Sequence, residues 1–196
     1  MSHLTILIPT LDRIGGAESQ VALLAEGLVQ RGWQVTVITL SGDNAPSADE
    51  DQNLPAIRVA KRFALAGVNL FSLRMRKAWI DPRGWMRYLR WASKNRPGIV
   101  HAHLPHATWF ARWSRPLVPV RIEIDTLHTS RCADPRHRLG YRLSNWLSNR
   151  TTCVSEAVAQ AASASSSIPL KKLTMLPNGI PLIQSCLLYT SPSPRD

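Results

Sequence analysis

The stretch Leu4-Thr-Ile-Leu-Ile-Pro-Thr-Leu-Asp-Arg-Ile-Gly-Gly-Ala-Glu18 decides the fold, because it joins a strand pattern to a helix pattern through a glycine pair. Residues 4–9 are mostly apolar and partly β-branched, which is typical of a buried parallel strand. Residues 17–31 carry valine and leucine at helical spacing. A strand that enters a helix through Gly15 and Gly16 leaves free backbone N–H groups, which favour anionic oxygens. The pair can equally serve only the backbone of the turn.

The remaining sequence repeats the alternation of strands and helices, which predicts a doubly wound, Rossmann-like parallel α/β sheet. Predicted strands cover residues 4–9, 34–40, 57–60, 99–103, 118–124, 151–154 and 173–176. Predicted helices cover residues 17–31, 69–79, 83–95, 107–114, 137–149 and a segment from Ser155. Gly32 is expected to end the first helix, Pro82 to begin another, and Ser155 to act as an N-cap. Ligands of such sheets bind beyond the carboxyl ends of the strands.

Length and composition indicate one globular domain without a disulfide framework. The chain has 196 residues, of which 44% are hydrophobic, enough for a full core. The three cysteines lack metal-ligand spacing, and we expect no metal site. Met1-Ser-His3 is too short for a signal peptide and no apolar run is long enough to cross a bilayer, so we expect a cytoplasmic protein.

Positive charge is in excess and unevenly distributed. The chain has 24 Lys and Arg against 13 Asp and Glu, and between Lys61 and Arg96 ten basic residues accompany one acid, Asp81. Aromatic residues are interleaved with these basic residues. The mixture suits a surface for anionic lipid head groups, or for nucleic acid through phosphate neutralisation and stacking. It also suits a helix that packs its tryptophans on the sheet and exposes its arginines to water.

Five short motifs resemble, in the right order, those of glycosyltransferase family 4, the retaining enzymes built from two Rossmann-like halves. They are Gly15-Gly-Ala-Glu18, Pro97-Gly-Ile-Val-His-Ala-His103, Asp125-Thr-Leu-His-Thr-Ser130, Thr152-Cys-Val-Ser-Glu-Ala157 and Leu176-Pro-Asn-Gly-Ile-Pro181. The similarity covers about residues 4–182. It implies that residues 1–182 form the N-terminal, acceptor-binding half of a GT-B glycosyltransferase.

The resemblance also implies site residues. The family histidine that corresponds to His128 lies beside the reacting sugar, where an imidazole can donate to a hydroxyl or help the charge that develops at the anomeric centre. His128 is therefore the candidate catalytic residue. The candidate acceptor-binding residues are Gly15, Gly16, Ala17, His103, Thr129 and Ser130. We expect His101 and His103 to point to opposite sides of their strand, with only one facing the cleft and His101 packed. His103 could bind sugar hydroxyls or cap backbone carbonyls.

These expectations combine into an acceptor-binding half that works with a nucleotide-sugar donor as co-substrate, without a cofactor or a metal. The acceptor would be lipid-linked or a carbohydrate. Relatives hold the donor with two glutamates seven residues apart in the second half, and no such pair follows Pro181. The chain is thus expected to lack its donor-binding domain and to be inactive alone. Because many relatives use lipid-linked acceptors, peripheral contact with an anionic inner membrane face is expected, and nucleic acid is not.

Two other classes explain part of the pattern. An oxidoreductase domain would share the fold, but it requires G-x-G-x-x-G and an acid at the end of the second strand, where this chain has Leu40-Ser-Gly42. A basic membrane-binding or nucleic-acid-binding module without catalysis would explain the charge. It would leave the strand-end motifs unused.

The last eleven residues need a separate interpretation. Residues 186–196, Cys-Leu-Leu-Tyr-Thr-Ser-Pro-Ser-Pro-Arg-Asp, follow no helix or strand period and match an in-frame translation of a transposase-type sequencing adapter. We expect a non-native tail, with a natural Ser/Pro-rich tail as the alternative. Resequencing the source DNA with another library chemistry distinguishes the two, since recovery of the same eleven codons would exclude an adapter.

Overall fold

A computed structural model describes residues 3–12, 15–42, 55–76 and 78–180. The strands are β1 His3–Ile8, β2 Gln34–Thr39, β3 Asn69–Ser72, β4 Ile99–His103, β5 Ile122–Leu127, β6 Arg150–Cys153 and β7 Leu173–Met175. The helices are α1 Gly16–Val29, α2 Pro55–Ala66, α3 Pro82–Asn95, α4 Pro105–Ser114, α5 Pro135–Ser144 and α6 Glu156–Ala164. Short 3₁₀ turns lie at Ala78–Ile80, Ser130–Ala133, Asn145–Leu147 and Leu170–Lys172. The proposed tail at 186–196 lies outside the described residues.

The seven strands form one parallel sheet in the order β3-β2-β1-β4-β5-β6-β7. The chain first builds outward from β1 to β3, then returns to place β4 against the other side of β1. This confirms the predicted doubly wound α/β fold. The order reverses between β1 and β4, and open sheets of this kind bind ligands at that reversal, beyond the carboxyl ends of the strands.

The two faces of the sheet bury separate clusters of apolar side chains. Ile6 and Ile8 of β1 pack on one face with Phe63 of α2, whereas Leu7 packs on the opposite face with Tyr88 and Phe110. Successive residues of β1 point to opposite faces. Because both faces of β1 are covered, the strand is a nearly continuous apolar run rather than an alternating one.

Several turn signals of the sequence are confirmed. Gly32 has φ +81, the left-handed conformation expected of a glycine in the turn after a helix. Helix α1 itself ends earlier than predicted, at Val29, and its C-cap is Gln30 rather than Gly32. Pro82 opens α3, where its missing N–H has no helical partner to lose. The Ser155 side chain accepts from the Val158 N–H at 3.4 Å, so this serine is the N-cap of α6.

Two predicted elements between β2 and α3 are wrong. Residues 57–60 belong to helix α2 rather than to a strand, because Val59 and Phe63, one turn apart, both pack on the sheet. Residues 69–72 form β3 rather than the start of a helix over 69–79, since Leu70 and Phe71 pair with the edge of β2. Tertiary pairing outweighs local pattern in such short segments.

The boundaries of two later elements also differ from the prediction. Strand β5 begins at Ile122 rather than at 118, since Pro119 has no N–H for a ladder and a tight turn joins the Val120 N–H to the Val118 carbonyl. The helix predicted over 137–149 begins at Pro135 and ends at Ser144, and a 3₁₀ turn follows it.

The basic segment Lys61–Arg96 uses its aromatic residues mainly for packing. Phe63 is fully buried, and Trp79, Trp85 and Trp91 pack against the core. This arrangement agrees with the interpretation of a helix docked on the sheet with solvated arginines. In the described part of the chain, no helix combines the length and apolar character that crossing a membrane requires.

Candidate functional site

Three histidines gather at the carboxyl edge of the sheet, next to the reversal of strand order. His103 ends β4, and His128 directly follows β5, the neighbouring strand. Nδ1 of His103 lies 2.9 Å from Nε2 of His128, which is a hydrogen bond between the two rings. Nε2 of His101 lies 2.7 Å from Oγ1 of Thr126, which in turn bonds the hydroxyl of Thr152 at 2.6 Å. The histidines are thus tied to three adjacent strands.

His101 and His103 lie on the same face of β4, with ring centroids 4.2 Å apart. The expectation that they point to opposite sides is wrong, because side chains two positions apart in a strand share a face. His101 is packed as expected, with its Nε2 bonded to Thr126. His103 caps no backbone carbonyl among the described residues, since its bonded partner is another histidine.

Burial keeps these imidazoles neutral. It lowers the pKa of His128 to about 4. Burial also lowers the pKa of His101 to about 4, and the nearby His128 adds to the effect. For His103, burial first and then the two neighbouring histidines place the pKa well below its usual value. At neutral pH the cluster therefore consists of neutral donors and acceptors rather than cations.

The bond between His103 and His128 couples their tautomers. If His103 donates from Nδ1, then Nε2 of His128 accepts and the neutral His128 ring carries its proton on Nδ1, ready to donate. If His128 donates instead, its Nδ1 becomes an acceptor and Nε2 of His103 carries a proton. Nε2 of His103 is buried and has no hydrogen-bond partner among the residues that the structure describes. The pair therefore retains hydrogen-bonding capacity at both outer nitrogens.

The glycine pair lies at the exposed start of α1. The Gly15 N–H donates to the Glu18 carboxylate at 3.0 Å, so one of the four free N–H groups of this helix start is satisfied internally. A Cβ added to Gly16 would meet no atom within 4 Å, and Gly16 has no left-handed backbone. The fold itself therefore does not require glycine at position 16. Ala17 is only 9% exposed, so it faces the protein more than solvent.

The other predicted residues lie along the same edge with different roles. The Thr129 hydroxyl accepts from the Arg131 N–H at 3.4 Å and caps the short turn that begins at Ser130. Both residues are exposed. The fifth motif contacts helix α1, which begins in the first motif: Nε2 of Gln20 on α1 donates to the Gly179 carbonyl at 2.8 Å. Sequence motifs from both ends of the described chain thus meet near this edge.

Leu104 is a feature that sequence reasoning missed. It has φ 70 and ψ 153, a backbone region used almost only by glycine, and it stands between His103 and the start of α4. Such strain persists only where the surroundings impose it, and it clusters at functional sites. Pro105 after it is a weak signal, since a residue before proline avoids helical angles but rarely takes a positive φ.

On the opposite face of β5, a buried ion pair ties the sheet to two helices. Arg112 of α4 donates to the Asp125 carboxylate from Nε at 3.1 Å and from a terminal nitrogen at 2.9 Å, and both side chains are fully buried. The Thr151 hydroxyl donates to the same carboxylate at 2.7 Å. Asp125 opens one of the five motifs, and its contacts assign it to the scaffold.

Glu123 lies two residues before Asp125 and is also buried. Among the described residues, no donor lies within hydrogen-bonding geometry of either Glu123 carboxylate oxygen. Burial, and then the charge of Asp125, raise the pKa of Glu123 to about 8. Within the described ranges, no group of three or more His, Cys, Asp or Glu side chains is arranged to hold a metal ion.

We compared the sequence and the fold with those of known proteins. The sequence profile described as Glycosyltransferase Family 4 matches residues 14–184. A search of curated proteins finds no significant match. Sucrose-phosphate synthase from Thermosynechococcus elongatus superposes with a TM-score of 0.68 at 15% identity, over 92% of this chain and 49% of that one.

Two further solved structures are similar to the same extent. HepE from Anabaena, in complex with UDP and glucose, has a TM-score of 0.64 at 13% identity, over 92% of this chain and 45% of its own. The lipopolysaccharide outer core galactosyltransferase WaaB has a TM-score of 0.60 at 11% identity, over 92% and 46%. This chain therefore spans a little under half the length of these proteins.

At such low identities the structural likeness concerns the fold alone. The family profile is a separate finding, and it covers most of the chain, from just before the glycine pair to just after the fifth motif. Sequence and fold thus lead to the same conclusion: the chain belongs to glycosyltransferase family 4.

Proposed function

We propose that this chain is the acceptor-binding part of a retaining glycosyltransferase, which moves a sugar from a nucleotide-sugar donor to a hydroxyl of a lipid-linked or carbohydrate acceptor. The main support for this proposal is the hydrogen-bonded pair of His103 and His128, which lies at the reversal of strand order. Two similar structures support the substrate classes, since HepE is bound to UDP and glucose and WaaB is a lipopolysaccharide outer core galactosyltransferase. The donor nucleotide would bind a second domain across the cleft.

In this proposal the neutral histidine pair acts on the transferred sugar. His128, the more exposed of the two, donates from Nδ1 to a hydroxyl of the donor sugar. It thereby helps to stabilise the positive charge that develops at the anomeric carbon. His103 donates from Nδ1 to Nε2 of His128, which keeps the His128 proton on Nδ1. A neutral ring suits this task better than an imidazolium, which would repel that developing charge.

The acceptor would approach along the start of α1. Gly15 and Gly16 leave the first turn of the helix open, and the empty space at Gly16 lets a hydroxyl or phosphate come close to the backbone N–H groups. Ala17 contributes its backbone at the same turn. Thr129 and Ser130 are exposed beyond β5 and would contact the acceptor next to His128.

Transfer assays with a panel of nucleotide sugars test the proposal. An enzyme completed by joining residues 1–182 to a donor-binding domain should turn over with a polyprenyl-phosphate or glycan acceptor. The 196-residue chain alone should show no transfer, because a donor-binding half supplies much of the positioning and leaving-group stabilisation. Transfer by the chain alone, or none by the completed enzyme with any donor of the panel, would contradict the proposal.

We also propose that the enzyme works at the cytoplasmic face of an anionic membrane. Ile80 and Met86 are 61% and 50% exposed, close in sequence to the exposed Arg83 and Arg90. Apolar side chains among cations suit an interface of anionic head groups. Flotation with phosphatidylglycerol vesicles should show salt-sensitive binding that weakens when Arg83, Arg87 and Arg90 become Glu. Equal binding to neutral vesicles would refute membrane association by charge.

A further inference from the structure

We propose that a cavity between the end of β3 and the start of α3 binds a phosphate group of the acceptor. The assignment of this phosphate to the acceptor rests on the proposed function, whereas the binding of an anion in the cavity does not. The cavity has a volume of about 410 Å³, and four arginines line it: Arg74, Arg76, Arg83 and Arg87. We call it the arginine cavity. It is separate from the histidine pair and lies on the same carboxyl edge of the sheet.

The sequence builds this cavity by bringing α3 close to the chain that leaves β3. Arg83 and Arg87 are one helical turn apart, so they occupy the same side of α3. Gly84 between them packs directly on Met75, since a Cβ at Gly84 would stand 2.2 Å from Cγ of Met75. The Met75 N–H in turn bonds the Leu40 carbonyl at 2.7 Å. The two arginines of the helix and the two of the loop therefore border the same cavity.

Asp81, the one acid among the described residues that line the cavity, is already engaged by the backbone. Oδ2 of Asp81 accepts from the Arg76 N–H at 2.8 Å, and Oδ1 accepts from the Arg83 N–H at 3.0 Å. These two bonds lower the pKa of Asp81 and make it the N-cap of α3. Its oxygens thus hold the cavity wall together. Within the described residues neither oxygen forms an ion pair with Arg76, Arg83 or Arg87, although the charges of Arg83 and Arg87 also help to lower the Asp81 pKa.

Arg76, Arg83 and Arg87 have donors left for a ligand. A terminal nitrogen of Arg87 donates to the Leu73 carbonyl at 2.8 Å, which fixes this guanidinium at the cavity wall. In the described part of the chain, no carboxylate forms an ion pair with Arg76, Arg83 or Arg87. A guanidinium carries five donors in a rigid fork that matches phosphate oxygens. Three such groups around one cavity, at the positive end of a 14-residue helix, favour a dianionic phosphate or a diphosphate.

The position of the cavity suits a long acceptor. Strand β3 stands three places from β4 in the sheet order, and neighbouring strands are about 4.8 Å apart, so the cavity and the histidine pair are separated along the sheet by on the order of 14 Å. Helix α3 packs on the face of Leu7, whereas His101 and His103 lie on the face of Ile6, so an acceptor that reaches both sites must also cross the carboxyl edge of the sheet. A short glycan bridges such a distance. A phosphate held in the arginine cavity would therefore leave the far sugar of the same acceptor near His103 and His128.

Calorimetric titration of the 196-residue chain tests the site without any donor or transfer reaction. The probes are inorganic pyrophosphate, glucose 6-phosphate and farnesyl diphosphate, and they separate a free anion, a sugar phosphate and a lipid-linked diphosphate. We expect pyrophosphate to bind, and Arg76→Gln combined with Arg83→Gln to weaken it by tenfold or more, because a charge-assisted hydrogen bond contributes about tenfold in affinity. Arg138→Gln with Arg142→Gln removes the same charge from exposed positions of α5 outside the cavity.

The outcomes separate the site from general charge and from the proposed function. Retained binding in the Arg138, Arg142 variant with loss in the Arg76, Arg83 variant supports the cavity, and the tightest probe identifies the phosphate source. Absence of binding by all three probes, or equal loss in both variants, overturns it. Circular dichroism verifies that both variants are folded. A completed enzyme that fails to transfer sugar would refute the proposed function while leaving the anion-binding result unchanged.

Discussion

Strand β5 separates two buried polar clusters that differ in how completely their hydrogen bonds are satisfied. On one face, the Asp125 carboxylate is bound by Arg112 and Thr151, and the opposing charges are paired. On the other face and beyond the strand, His103 and His128 bond each other but leave outer nitrogens available. The first cluster lies in the body of the protein, and the second lies at the carboxyl edge.

The difference separates scaffold from site. A buried charge pair with complete hydrogen bonding holds elements together, and removing one partner leaves an uncompensated charge. A buried ring with an unused nitrogen at a ligand-binding edge has capacity for a partner from outside. Residue type alone does not make this distinction, because Asp125 and His128 belong to the same sequence motif.

The largest expected effect is on the scaffold cluster. Arg112→Ala should lower the free energy of unfolding by about 3–5 kcal/mol, because the buried Asp125 carboxyl group would lose its ion-pair and hydrogen-bond partner. Urea denaturation of the 196-residue chain measures it. Arg142→Ala, at an exposed arginine of α5, is the control and should change stability by less than about 0.5 kcal/mol. A loss below about 1 kcal/mol for Arg112→Ala would erase the contrast between the clusters.

The next effect concerns the site cluster. In the completed enzyme, His128→Ala should lower kcat by about tenfold to a thousandfold with a smaller change in donor KM, as expected for a group that acts in the transition state. His106→Ala is the control, since His106 is an exposed histidine of α4 outside the pair. Steady-state kinetics on folded variants distinguishes them. Wild-type kcat in His128→Ala would make this histidine structural.

A third prediction concerns the unsatisfied member of the scaffold face. Glu123→Gln should raise the free energy of unfolding by about 1–3 kcal/mol at pH 9, and by less at pH 6. Because the pKa of Glu123 is raised to about 8, the folded protein holds a proton that the unfolded chain releases near its ordinary pKa. Stability from this group is therefore fully present at low pH and is lost progressively as pH rises toward 8. Urea denaturation of both proteins at pH 6 and pH 9 measures the free energy of unfolding. If Glu123→Gln raised it equally at the two pH values, Glu123 would not titrate in the core.

The smallest effect on stability is expected at the glycine pair. Gly16→Ala should leave the fold intact or stabilise it by up to about 1 kcal/mol, because the added Cβ meets open space and a helical residue gains from alanine. The same change should raise the acceptor KM of the completed enzyme, and Gly16→Val should impair acceptor use more. Thermal unfolding and acceptor titration separate the two readouts. An unchanged KM in both variants would remove Gly16 from the site.

The sheet is predictable from the sequence where long apolar patterns meet clear turn signals. Residues 3–8 and 34–39 read as strands because both faces are buried, and α3 reads as a helix from Pro82 onward. The segments 55–66 and 69–72 do not, since their structure depends on packing and pairing with β2 rather than on local pattern. Pro119 shifts β5 by four residues, which a propensity-based boundary misses.

The site is predictable in its place but not in its contacts. Motifs that follow strands necessarily gather at one edge, so the approach of His103 and His128 follows from adjacent strand ends. Their direct bond and the strained Leu104 depend on tertiary geometry. The arginine cavity is visible in sequence only as charge, because its shape arises from the packing of Gly84 on Met75.

The reversal of strand order also has a consequence for how the protein folds. One edge of β1 pairs with β2, where Leu4 is in register with Val35. The other edge pairs with β4, where Leu4 is in register with Ile99, 95 positions further along the chain. Pairing of such distant segments is slow, because the chain entropy of a long loop is lost before the contacts form. During synthesis, the β1–β2 unit would emerge with one apolar strand edge open until β4 follows. The histidine pair is completed later still, when His128 leaves the ribosome, so this protein acquires its site among the last steps of assembling its sheet.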